Sequence, residues 1–247
     1  MDITVISLFP EVFGGFISSS IIGRAVADGL VGISCIPLRE YSRDKHRKCD
    51  DYPFGGGPGM VMKPEPVIGA LEAIGVEGKR IVYPSAGGRR YRQADAERLS
   101  RESGIVIICG HYEGLDQRVI DRYVTDEYAV GDYVLSGGES AAMIIIDSVV
   151  RLLEGAISAE SLSSESFSDG LLEYPQYTRP RSVAGMNVPD VLLNGNHEEI
   201  RRWRLKKSVE KTRRYRPDLM ADGTFPDEVN EIMRESEVNE YGSYKGD

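Results

Sequence analysis

The chain has 247 residues, 41% of them hydrophobic and 28% charged, with 30 Lys+Arg against 39 Asp+Glu and a formal net charge of -9. Global disorder is excluded by that apolar content, and no apolar run reaches the roughly 18 residues a membrane-spanning helix needs. The N-terminus carries no basic region ahead of an apolar stretch, so no signal peptide is expected. Three cysteines, Cys35, Cys49 and Cys109, with no CxxC pair, fit a reducing cytoplasm rather than a disulfide framework or a zinc site.

In chain order, Ile3 to Phe9 is a near-continuous apolar run, the pattern of a buried parallel strand, and Pro10 ends it. Residues 11–28 predict a helix stopped by Gly29, with Val12, Phe16, Ile17, Ile21, Ile22 and Ala25 on one face. Ile33 to Leu38 predicts a second strand. Residues 39–63 are too polar and glycine-rich for regular structure and predict a long functional loop. Glu65 to Ile74 predicts a helix, Arg80 to Tyr83 a strand, Arg92 to Ser103 a charged helix, and Ile105 to Cys109 a buried strand. Asp116 to Tyr123 predicts a short helix, Tyr128 to Val130 a short strand, and Glu139 to Leu153 a strongly apolar helix. This alternation argues for an α/β domain with a mostly parallel sheet over residues 1–157. Residues 158–175 open Ser- and acid-rich, as a flexible linker does, and 176–247 predict a small all-helical domain in which Asn196 caps a long helix.

The net charge hides its own distribution. Residues 201–216, RRWRLKKSVEKTRRYR, hold nine Lys/Arg and one Glu, a local +8, so the remainder carries -17. Pro217 to Asp247 holds nine acids and two bases. A basic run is commonly a solvated helix face, but Trp203 and Tyr215 interleave with the bases here, which suits stacking plus phosphate contact. Trp203 itself is expected in the core of the small domain. Weaker basic clusters lie at Arg39–Lys48 and Arg89–Arg92.

Three glycine-rich turns follow strand-like segments: Tyr83 to Gly88, Gly110 to Gly114, and Val130 to Gly138. Ligands bind at the carboxyl ends of parallel strands, where glycines let the backbone come close, so the three together predict a pocket. No GxGxxG, P-loop, HExxH or GxSxG is present, and the three histidines (His46, His111, His197) sit far apart in the chain. No metal held by His or Cys is expected.

The segments SLFP (7–10), GRA (23–25), DDYPFGGGPGM (50–60), GHYEGLDQRV (110–119), VGDYVLSGGE (130–139), YPQYTRP (174–180) and NGNHEEIRRWR (194–204) resemble bacterial tRNA (guanine-N1-)-methyltransferases, a knotted SPOUT-type family. The likeness runs in order from residue 1 to about 216. It implies a deep trefoil knot in the α/β domain, which ordinary topology rules would not have suggested. It also implies S-adenosylmethionine, bound bent by Tyr83, Pro84 and Ala86, by Gly110, Tyr112, Glu113 and Gly114, and by Val130, Gly131, Asp132, Tyr133, Val134, Leu135, Gly137 and Gly138. The first loop departs from the commoner pattern, with Ala86 where proline is frequent and Pro84 where leucine is. Glu113 reads either as a turn residue or as a contact to the cofactor's positive end.

Asp50, Gly55, Gly56, Arg179, His197, Arg201, Arg202 and Arg204 are the positions the resemblance assigns to tRNA. Methylating guanine N1 requires loss of its proton, so a carboxylate base and a cation near O6 are the groups to look for. The family's arginine and carboxylate correspond to Arg151 and Glu165, with Glu165 standing where aspartate is usual and Asp169 as the alternative base. From the sequence alone, Arg151 also reads as an ordinary helix-end cation and Glu165 as plain linker. A cytoplasmic homodimer sharing its active site between subunits is further implied, with no membrane association. An Mg2+ ion goes with the family's activity, for which Asp50, Asp169 and Glu165 are candidates. A non-catalytic RNA-binding protein, or a knotted methyltransferase acting elsewhere on RNA, is the rival reading.

Overall fold

β-Branched and apolar residues crowd the first strand, β1 (Asp2–Ser7), because both of its faces are covered. The computed structural model describes residues 1–163 and 165–243; Ser164 of the expected linker and tail residues 244–247 lie outside the described residues. The chain divides into two compact units, Met1–Ser158 and Ala159–Asp247.

In the first unit β1 is followed by a 3-10 turn (Pro10–Phe13), α1 (Gly14–Ile17) and α2 (Ser20–Ala27), then β2 (Gly32–Pro37). The single helix expected over 11–28 is thus broken. The Ser18 hydroxyl donates to the Gly14 carbonyl at 2.9 Å and Ser19 to Gly15 at 2.6 Å, offering the backbone an exit from the helix. The predicted long loop contains a 3-10 turn (Leu38–Tyr41) and a small antiparallel ladder, β3 (Asp50–Asp51) on β4 (Val61–Met62), with the glycine run at its tip. Next come α3 (Pro64–Ile74), β5 (Arg80–Arg90), α4 (Gln93–Ser100), β6 (Gly104–Ile108), α5 (Gln117–Tyr123), β7 (Asp126–Ala129) and α6 (Glu139–Val150).

Five strands form one parallel sheet in the order β2-β1-β6-β5-β7. Alternate residues feed two cores. Ile3, Val5, Val82, Ile105 and Ile107 pack with Ile22, Leu99, Ile145 and Val149 on one face. Ile6, Ile81, Val106 and Ile108 pack with Val67, Leu71, Leu115 and Val119 on the other. With helices on both faces the strands lose the polar alternation of a half-exposed sheet, which is why they read as continuous apolar runs.

β5 is longer than its sequence predicts. The glycines after Tyr83 do not end the strand; its register with β7 shifts between Pro84 and Arg89, and pairing resumes at Arg89 opposite Tyr128. A Cβ at Gly88 would lie 2.5 Å from the Tyr128 nitrogen, so only glycine lets the bulge cross its neighbour.

In the second unit a short helix, α7 (Ala159–Ser163), occupies part of the expected linker. An antiparallel pair, β8 (Ser182–Val183) on β9 (Met186–Asn187), corrects the all-helical expectation: Gly185, at φ +78°, turns the chain back on itself. Then α8 (His197–Tyr215), α9 (Pro217–Asp222) and α10 (Asp227–Ser243) follow. Asn196 caps α8, its side chain accepting from the Glu198 and Glu199 N–H groups. Leu171, Val209, Phe225, Val229 and Ile232 form this unit's core.

Candidate active site

The bulge of β5 and the loops at the carboxyl ends of β6 and β7 enclose a cleft of about 460 Å³. Its floor is Tyr83, whose hydroxyl accepts from the Leu115 N–H at 3.3 Å; burial pushes the phenol up, against that N–H. The second loop holds Tyr112 at φ +59°, a left-handed conformation that side chains rarely adopt and that clusters at functional sites. The Glu113 N–H donates to the Met60 carbonyl at 2.9 Å, so the GGGPGM hairpin is clasped to this loop.

The third loop lies directly on the second. The Gly138 N–H donates to the Gly110 carbonyl at 2.7 Å, and a Cβ at Gly138 would stand 2.7 Å from the Gly110 nitrogen. His111 and Gly137 form an antiparallel bridge beside it. On the rim Tyr133, Val134 and Leu135 are exposed, Val134 at 89%. Exposed apolar side chains at a cleft mouth are surface left for a ligand to cover.

Of the residues expected to hold a cofactor, all but one line this cleft: Tyr83, Pro84 and Ala86; Gly110, Tyr112, Glu113 and Gly114; Val130, Gly131, Tyr133, Val134, Leu135, Gly137 and Gly138. Asp132 is not among its lining; it pairs with Arg90 at 3.3 Å in solvent. Glu113 and Glu127 both line the cleft, whereas no Lys or Arg is among its described lining residues. Such a wall favours a ligand carrying positive charge.

Sequence reasoning missed a polar network beneath the second loop. His111 Nε2 lies 2.7 Å from Glu139 Oε2, the Ser7 hydroxyl donates to Glu139 Oε1 at 2.6 Å, and the Phe9 N–H donates to the Ser7 oxygen at 2.9 Å. The signal was present: an acid opening a strongly apolar helix, and a lone histidine in a glycine loop. Glu127, which accepts from the Ser85 hydroxyl at 2.5 Å, was missed as well.

Arg151 caps the C-terminal end of α6 in the first unit. The second unit brings Glu165 and Asp169 into one cleft of about 380 Å³ with His197, Arg201 and Arg204. Asp50 lies in β3, and Gly55 and Gly56 form the hairpin tip at φ +87° and +77°, next to a fully exposed Phe54. Trp203 is half-buried and outside the unit's core cluster, correcting the expectation that it fills that core. Leu205 and Val209 take that role, because the face of α8 carrying Ile200, Trp203 and Arg204 lines a second cleft.

The basic segment is largely answered by acids. Arg201 donates to Glu228 at 2.6 Å and to Glu198 at 2.7 Å, hydrogen bonds that push its guanidinium still further up, and Arg202 reaches Glu235 at 2.9 Å. The acidic residues of α10, which had no role in the sequence reading, are thus counter-charges for α8. Arg179 and Arg204 make no ion pair among the described residues. No helix among the described residues is long and apolar enough to cross a membrane.

Comparison with known proteins bears on this geometry. Residues 1–222 match the family model described as tRNA (Guanine-1)-methyltransferase TrmD. A tRNA (guanine-N(1)-)-methyltransferase of Alkaliphilus oremlandii is 52% identical over 231 residues, 90% of this chain and 93% of that protein. One from Treponema denticola is 48% identical over 241 residues, 96% and 99% of the two chains. One from Moorella thermoacetica is 50% identical over 240 residues, covering 95% and 96%.

Proposed function

The chain belongs to the tRNA (guanine-N1-)-methyltransferase family, and from that premise we propose that it transfers a methyl group from S-adenosylmethionine to N1 of the guanine just 3′ of the anticodon. The observation that carries the reading is the cleft itself: glycine-walled, bounded by Glu113 and Glu127, and without a lining Lys or Arg. Those residues fit the cationic donor.

S-adenosylmethionine, when bound, supplies a methyl group made electrophilic by the sulfonium. The chain's own groups do the rest. Backbone N–H and C=O groups of the β5 bulge and the two loops beside it would hold the donor's adenine and amino-acid ends. Glu165 accepts the N1 proton as N1 takes the methyl, and Asp169, lining the same cleft, is the alternative base. A glutamate reaches one methylene further than the usual aspartate. Arg151 balances the negative charge that builds on O6. His197, Arg201, Arg202, Arg204 and Arg179 face the tRNA, with Asp50, Gly55 and Gly56 contributing from the hairpin.

The reading includes a trefoil knot in the first unit; the third loop seated on the second through Gly138 and Gly110 supports it. It includes a cytoplasmic homodimer with a shared active site; Ile144, a large apolar side chain exposed on α6, supports the homodimer. No step is routed through Mg2+: among the described residues no three His, Cys, Asp or Glu side chains converge as metal ligands do. Transfer of labelled methyl to tRNA transcripts with G or A after the anticodon tests the proposal. Labelling of the G transcript alone is expected; equal labelling of both, or of neither, would overturn it.

A further inference from the structure

The second unit holds another cleft, of about 560 Å³, whose lining includes Arg179 and Arg204 of the cations turned toward tRNA above, while its aromatic residues have no role there. Tyr174, Tyr177 and Trp203 supply its aromatic surface, and Arg179, Arg181 and Arg204 its charge. The Tyr177 and Trp203 rings stand 6.2 Å apart at 56°, a tilted pair at the cleft wall. The Arg204 guanidinium covers the Tyr174 ring at 4.8 Å. In a chain of net charge -9, no acid is among the residues lining this cleft.

We infer that this cleft is a stacking subsite for one unpaired nucleobase of the RNA, with the adjoining phosphate on Arg179. Three observations carry it. Trp203 and Tyr177 are withheld from the unit's hydrophobic core, and Tyr177 stays 48% exposed, so their faces are available to a planar partner. Arg181 is tied to Asp190 at 3.0 Å, whereas Arg179 makes no ion pair among the described residues and is the cation left for a phosphate. Ile200, Trp203 and Arg204 share one face of α8 by their i, i+3, i+4 spacing, so that rigid helix presents the floor and one cation together. A stack of base on aromatic with a neighbouring arginine is how single-stranded RNA is held, since a paired base has no free face. Tyr174 and Arg204 also line the cleft of Glu165 and Asp169, so the two sites share a wall.

This inference rests on the chain acting on tRNA, and its test separates the two ideas. Trp203 is the only tryptophan, so fluorescence excited selectively at tryptophan, beyond the tyrosine absorption, reports this cleft. Titrating the full chain with a tRNA anticodon stem-loop is expected to quench that emission, while a fully paired RNA duplex does not. Tyr177→Ala should weaken stem-loop binding by about tenfold or more, with Tyr177→Phe restoring it. Arg179→Ala should weaken binding and lower the salt slope by about one. The subsite is wrong if the stem-loop is retained on filters with emission unchanged, or if Tyr177→Ala binds as the unaltered chain does. Methyl transfer to tRNA by the unaltered chain in that case leaves the enzymatic reading standing. Neither transfer nor stem-loop binding would overturn both.

Discussion

The carboxylate of Glu139 is shared between two partners, with His111 Nε2 at 2.7 Å from one oxygen and the Ser7 hydroxyl at 2.6 Å from the other. Glu139 and Ser7 are both buried, so neither partner can be exchanged for water without cost. The network fixes the His111 ring, and with it the loop from Gly110 to Gly114, from beneath. Glu139→Gln turns one acceptor into a donor and leaves a mismatched buried contact. A loss of about 1–3 kcal/mol in urea denaturation is expected, with weaker S-adenosylmethionine binding by calorimetry. Unchanged affinity would remove the network from cofactor positioning.

Gly138→Ala would place a methyl 2.7 Å from the Gly110 nitrogen and 2.8 Å from the Cys109 Cα, both backbone atoms that cannot swing aside. Gly138 has an ordinary helical φ of -77°, so the effect is steric rather than conformational. Cofactor binding should be lost, or the fold weakened by about 1–3 kcal/mol. Gly87→Ala is the control: its nearest neighbour would be the Ser85 oxygen at 3.6 Å. Calorimetry on both variants checks the contrast.

The assignment of the base is decided by single-turnover methyl transfer. Glu165→Gln should slow transfer by about 10²-fold or more while tRNA binding is kept, and Asp169→Asn should have a small effect. A fully active Glu165→Gln protein would hand the role to Asp169 or elsewhere.

Acid and alkali should act on one cluster at the β5–β7 edge. Burial pushes the Asp95 carboxyl up, but hydrogen bonds from Arg89, the Arg92 N–H and Tyr128 outweigh it and hold the group below its ordinary value near 3.8. A depressed carboxyl stabilises the fold above its unfolded value and loses that contribution as pH falls through the folded one. Burial, with the Asp126 charge beside it, pushes the Tyr128 phenol up to about 12. That contribution is whole below about pH 10 and is lost as pH rises through the folded value. Denaturation across pH should show both limbs, and Asp95→Asn should flatten the acid one.

Relieving the acids on α8 should strengthen RNA contact. Glu228→Gln with Glu235→Gln frees Arg202, whose partner stands at 2.9 Å, and leaves Arg201 only Glu198 of its two acids. Affinity for tRNA at low salt should rise, and the salt slope should steepen by about one to two. An unaltered slope would mean that these arginines do not reach phosphate.

Strands, their buried character and the glycine loops were legible in the sequence, because continuous apolar runs and turn chemistry are local properties. That the residues expected at a cofactor gather in one cleft was legible through motif order, save for Asp132, whose side chain pairs with Arg90 instead. Three things were not local. The break before Ser20 depends on serine hydroxyls bonding back to Gly14 and Gly15. The continuation of β5 past its glycines depends on β7, which pairs with it on both sides of the bulge. Ser7 and Glu139, 132 positions apart, meet only because β1 and the start of α6 converge under one loop. Composition and spacing determined that the chain is an α/β protein with a basic helix and an acidic end. Tertiary structure decided which charges remain available, since Arg201 and Arg202 are neutralised by residues 27 and 33 positions away while Arg179 is not. Charge on a sequence is additive, but the field a ligand meets depends on which opposite charges the fold has set beside it.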